Sequence, residues 1–148
     1  MIVADEYLAL LRLVEQAPQQ VESETLALTY SRAYRLTRAL LDPGPGRLAV
    51  RGRFSRLVEA LSATDQAILH DRLADPDPAV LAIVDPRPTI RAAAAIQNTY
   101  ALSLLQAETI AAAVIHDWRI LFAEADSASG PFRQAATELG LDLQVIGR

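Results

Sequence analysis

The strongest constraint on this chain is a recurring pattern: short, mainly apolar runs separated by stretches of helical period. Ile2-Val3-Ala4, Val80 to Val84, Arg119 to Ala123 and Leu141 to Ile146 are the four such runs. Val80 to Val84, continuously apolar and bounded by turn residues, reads as a strand covered on both faces. Helices between the runs require crossover connections, so the pattern predicts a parallel sheet of about four strands flanked by helices on both sides.

The intervening helices announce their own ends. Tyr7, Leu8, Leu10, Leu11 and Val14 follow a helical period until Pro18, and a second helix is expected from Ser23, as N-cap, to about Leu41. Its buried stripe is expected to be Leu26, Ala33, Leu36 and Leu40. Breaks fall at the Asp42 to Gly46 loop and at Asp75 to Pro78, with Ser62 or Thr64 capping a helix between them. Pro88 or Thr89 starts a helix to about Tyr100, Ser103 opens another to about His116, and Gly130-Pro131 leads into one that Gly140 stops. No linker or internal repeat interrupts the 148 residues, which read as one α/β domain over 1–148.

Composition narrows the function classes. The chain has no cysteine, which excludes disulfides and thiolate metal sites and suits a reducing cytoplasm. It offers no apolar run long enough to span a bilayer, and its opening residues lack a basic signal-peptide region. A net charge of −4 gives no overall attraction to nucleic acid. The exception is a local basic island of Arg32, Arg35, Arg38, Arg47, Arg51, Arg53 and Arg56 against Asp42 alone. It reads either as a solvated face or as a phosphate-contacting surface carried by Arg47, Arg51, Arg53 and Arg56. No phosphate-binding glycine loop or serine-hydrolase motif occurs, and His70 and His116 have no partners suggesting a triad or zinc site.

In a parallel sheet, ligands collect at the carboxyl ends of the strands. Acids stand at those ends: Asp5, then Asp85, then Glu124 with Asp126. With these residues in place the chain resembles the PIN domain, the fold of VapC-like toxin ribonucleases. Met1 to Asp5 resembles that family's first strand and metal-binding aspartate, and Ser103 to Ala113 its apolar helix bearing an acid. Ile120 to Asp126 is similar to its acid-terminated strand, and Gly140 to Ile146 to its closing strand.

The resemblance implies carboxylates that hold Mg²⁺ or Mn²⁺ for phosphodiester hydrolysis, hard cations that prefer oxygen ligands. Asp5, Glu108 and Asp126 would be the catalytic set, with Glu124 a further metal ligand. Two registers are open, one pairing Gln106 with Glu124 and the other Glu108 with Asp126, since residues two apart on a helix face different ways. Glu108 is expected on a face shared with Leu104, Leu105, Ala112 and Ile115. The family pattern is incomplete: Glu6 and Tyr7 follow Asp5, and Thr29 or Tyr30 stands where the second helix should carry an acid. The expected function is therefore that of a degenerate PIN-like protein binding a partner or RNA. The alternative is a Mg²⁺- or Mn²⁺-dependent ribonuclease, the toxin of a toxin–antitoxin pair. An antitoxin-like protein, RNA and a second copy forming a homodimer are the expected partners.

Overall fold

The computed structural model describes residues 1–41 and 58–147, with Asp126 described by its backbone only. Arg47, Arg51, Arg53 and Arg56 lie outside the described residues.

Five strands form one all-parallel sheet in the order β3-β2-β1-β4-β5. They are β1 (Ile2–Ala4), β2 (Leu26–Leu28), β3 (Leu81–Ile83), β4 (Arg119–Phe122) and β5 (Leu143–Val145). The helices are α1 (Glu6–Leu13), α2 (Tyr30–Leu41), α3 (Ala63–Ala74), α4 (Ile90–Tyr100), α5 (Leu104–His116) and α6 (Gly130–Glu138). The expected α/β class and parallel sheet are present, with one strand more than expected. Leu26-Ala27-Leu28 is the added strand, and the helix expected from Ser23 begins only at Tyr30.

Alternation along β1 divides the core in two. Ile2 and Ala4 face a cluster with Leu8 of α1, Leu36 and Leu40 of α2, and Leu69 and Leu73 of α3. Val3 faces the opposite cluster with Ile110 to Ala113 of α5 and Phe132, Ala135 and Ala136 of α6. All three β1 residues are fully buried, as a central strand requires. The alanines of α5 are buried too, and their small side chains let that helix lie close on the sheet. β3 differs from expectation. Its Ile83 is 39% exposed, because β3 is an edge strand rather than one covered on both faces.

Caps fix the helix boundaries. Ser62 and Ser103 accept amide protons from Asp65 and Gln106, and Ser103 with Gln106 completes a capping box. Beyond α6, Gly140 takes φ +68°, and the amides of Gly140 and Leu141 return to the carbonyls of Thr137 and Ala136. That pair of bonds is a Schellman closure, which the glycine enters without steric cost. No helix among the described residues is long and apolar enough to cross a membrane.

The strand order places the site. Connections from β1 run outward one way through β2 to β3, and those after α5 run the other way through β4 to β5. The order therefore reverses between β1 and β4, and a crevice at such a switch point is the usual ligand position of an open α/β sheet.

Candidate functional site

Asp5 and Glu124 follow β1 and β4, so both stand at this switch point. Asp5 is 1% exposed and spends both carboxylate oxygens on backbone amides. Oδ1 accepts from Leu8 N at 2.8 Å, capping α1, and Oδ2 accepts from Glu124 N at 3.0 Å, tying β1 to the end of β4. Burial pushes its pKa above the ordinary value, against the pull of those amides and of the Arg32 charge.

Arg32 forms the centre of the cluster. Although it belongs to the basic island of the sequence, it is 3% exposed. Its Nη1 donates to Glu6 Oε2 at 2.5 Å, its Nε donates to Thr109 Oγ1 at 3.1 Å, and its guanidinium lies 5.1 Å from the centre of the Phe122 ring. Arg35 donates to the other Glu6 oxygen at 2.9 Å. Thr109 passes its own proton to the Leu105 carbonyl at 2.8 Å. The planar five-donor fork of arginine suits this role, satisfying a carboxylate, a hydroxyl and an aromatic face together.

Glu108 and Asp85 have partners of their own. Glu108 is half-buried and accepts from Ser31 Oγ at 2.9 Å and Ser31 N at 3.3 Å, holding the start of α2. Its expected apolar face is only partly buried: Ala112 is in the core and Leu105 half-buried, but Leu104 is 52% and Ile115 42% exposed. Gln106 donates to Ser129 Oγ at 3.0 Å, at the head of α6. Of the two registers, then, neither places its α5 residue against Arg32: Thr109 occupies that position. Asp126 sits in the 3-10 turn Ala125–Ser127, and its side chain lies outside the described set. Asp85, at the end of β3, forms an exposed ion pair with Arg87 at 2.6 Å.

These commitments decide how well a hard divalent cation fits. It needs several carboxylate or carbonyl oxygens at close range. The Asp5 oxygens hold amides, the Glu6 oxygens hold two guanidinium groups, and the Glu108 oxygens hold Ser31. A metal between Asp5 and Glu6 would have to displace Arg32, leaving a buried guanidinium without its carboxylate, at a cost of several kcal/mol. As arranged, Glu6 faces two guanidinium groups and Glu108 faces Ser31 instead of a shared cation position beside Asp5. No group of three or more acidic or histidine side chains among the described residues is set to hold a metal ion.

Sequence reasoning located the rim and its aspartate but missed Glu6 and Arg32 as a pair. One signal was present: an acid directly after the site aspartate, in the first turn of a helix whose neighbouring residues are core. An apolar rim borders the cluster. Tyr30 (57% exposed), Ile83, Ile90 (61%) and Leu104 begin or end elements at the carboxyl side of the sheet. Ile90 and Leu104 line a cavity of about 170 Å³ together with Glu108. A scan against protein-family models and a search of curated proteins each found no match to this chain.

Proposed function

We propose that this chain is a PIN-like domain that has exchanged metal-dependent catalysis for binding, and that it engages a partner protein through the carboxyl rim of its sheet. The observation that carries this reading is Arg32, an internal cation seated against Glu6 beside Asp5, where a nuclease of this kind would keep its metal. A guanidinium there balances the acids but cannot lower the pKa of a water as a divalent ion does.

The rim's chemistry favours protein over RNA. Affinity for RNA is built on unneutralised positive charge facing phosphates. Here Arg32 is buried against Glu6, Arg35 shares that same carboxylate, and Arg87 is paired with Asp85, so little unpaired positive charge faces outward among the described residues of the rim. What the rim offers is aromatic and aliphatic surface, from Tyr30, Ile83, Ile90 and Leu104. Such side chains make protein interfaces, an antitoxin-like protein or a second copy being two forms of the same chemistry. The ribonuclease reading stands second, supported by Asp5 lying at the switch point, where its carboxylate accepts from the backbone amide of Glu124.

Two measurements test the proposal. Single-stranded RNA incubated with the protein and Mn²⁺ stays intact, as it does with Asp5→Asn. Cleavage by the wild type that Asp5→Asn lacks would reinstate the nuclease. Affinity capture from the native cell extract recovers a protein partner, and an Ile90→Asp/Leu104→Asp variant with unchanged circular dichroism loses it. Recovery of RNA instead, or retention of the partner by that variant, overturns the rim assignment.

A further inference from the structure

α2 faces the core with Leu36, Ala39 and Leu40, yet its opposite side also carries large apolar groups. At about 100° per residue, Tyr30, Tyr34, Thr37 and Leu41 fall within roughly 60° of one another, in a stripe about 16 Å long. Tyr34 is 58% and Leu41 72% exposed, and Thr37 is exposed between them. The Thr37 hydroxyl donates to the Ala33 carbonyl at 2.8 Å, so its polar atom is already satisfied. A helix that is apolar on both sides is ordinarily covered on both sides. The intervals of four, three and four residues are those of a seam along which a second helix packs.

The flank of this seam is basic. Arg38 follows Thr37, at the position where paired helices exchange ion pairs. It is exposed, and among the described residues it forms no ion pair. α2 carries three arginines and no acid, whereas the chain as a whole has a net charge of −4. The stretch from Arg32 to Arg56 holds seven arginines against Asp42 alone, so the excess acid lies elsewhere in the sequence. An acidic partner is thus drawn to this face and repelled by the remainder.

We infer that an acidic amphipathic helix of a partner protein docks along α2, its apolar stripe on Tyr30, Tyr34 and Leu41 and a carboxylate on Arg38. In this mode the apolar anchors supply contact area and the flanking charge fixes register. Other occupants match less of the surface. The α2 of a second copy would bring arginine to arginine and no acid to Arg38. Nucleic acid binds through many neutralised phosphates, whereas the described residues of this face offer one unpaired guanidinium beside three large apolar groups. The inference rests on the protein-partner reading above, and Tyr30 belongs to both surfaces. Ile90 and Leu104, which test that reading, stand on other helices.

The probe is a synthetic helical peptide of about 18 residues, with leucine at the same seam spacing and glutamate flanking it. Its control carries lysine in place of glutamate. Titrated into the ¹⁵N-labelled full chain, the glutamate peptide shifts α2 amides saturably, with Kd on the order of 0.1–1 mM. The lysine peptide binds about tenfold more weakly, and Arg38→Glu, an exposed change, reverses that preference. Tyr34→Asp weakens the glutamate peptide about fivefold or more at unchanged circular dichroism. Ile90→Asp/Leu104→Asp leaves it unaffected; loss of the peptide in that variant would place it on the rim and overturn the α2 assignment. Equal binding of both peptides, no shift at about 5 mM, or tighter binding of a uridine oligonucleotide at the same amides also overturns it. So do α2 shifts that grow with protein concentration alone, which mark a second copy. None of these failures alters the capture test of the rim.

Discussion

Arg32→Met is the sharpest perturbation of the candidate site. Methionine keeps much of the apolar stem and removes the guanidinium. Glu6, whose side chain is 8% exposed, then keeps only its contact with Arg35, and the face of Phe122 loses its cation. Breaking a buried pair from one side costs about 3–5 kcal/mol, mostly from the charge left behind. The surviving Arg35 contact places the expectation near the lower end, about 3 kcal/mol, or a fall of roughly 10 °C in Tm for a domain of this size. Urea denaturation at pH 7, followed by circular dichroism, reads the change in midpoint at constant slope. Adding Glu6→Gln to Arg32→Met restores part of the loss, with a coupling energy of about 2 kcal/mol between the two sites. Millimolar Mn²⁺ leaves the wild-type Tm unchanged and raises that of Arg32→Met, because the acids then lack a resident cation. An Arg32→Met cost below about 1 kcal/mol, or additivity within about 0.5 kcal/mol, would refute the reasoning. Equal stabilisation of both proteins by Mn²⁺ would do the same.

Three further outcomes follow from the structure. Asp5 has its pKa raised by burial above the ordinary 3.8, so its contribution is fully present below that value and lost as pH rises through the folded-state pKa. Relative to Asp5→Asn, the wild type therefore gains stability as pH falls from neutral toward 4 in paired urea titrations; a flat or opposite trend contradicts the raised pKa. Gly140→Ala costs about 1 kcal/mol by thermal or urea denaturation through backbone strain alone, since φ is +68° and an added Cβ meets nothing within 4 Å. Phe132→Ala, which empties a fully buried position stacked 5.3 Å from Phe122, costs about 3–5 kcal/mol in the same assay.

The parallel sheet was legible because its apolar runs are bounded by strong punctuation. Ser103, Gly140 and the turn before Leu81 set their boundaries through local chemistry, which sequence carries directly. Leu26-Ala27-Leu28 was not legible as a strand. Three residues show no period of their own, and Leu26 extends the helical stripe of Leu36 and Leu40 by chance spacing, so the eye joins it to α2. The site divided in the same way. Asp5 is visible because it ends an apolar run, whereas the burial of Arg32 is set by Glu6 on α1, Thr109 on α5 and Phe122 on β4. Those contacts are tertiary, and no local signal marks one arginine of an arginine-rich stretch as the internal one. Glu108 shows the converse. It lies within the expected helix, but its hydrogen bonds run to Ser31 at the head of another helix.

The position of β1 at the middle of the sheet bears on how the chain is made. Ile2 meets Leu26 on one side and Arg119 on the other, so one neighbour follows β1 closely in synthesis and the second only after α5. Until Arg119 to Phe122 emerge, the nascent protein carries a bare, wholly apolar strand edge, open to misdirected pairing with any extended segment nearby. A chain that ends within α5 therefore lacks the strand that covers this edge of β1.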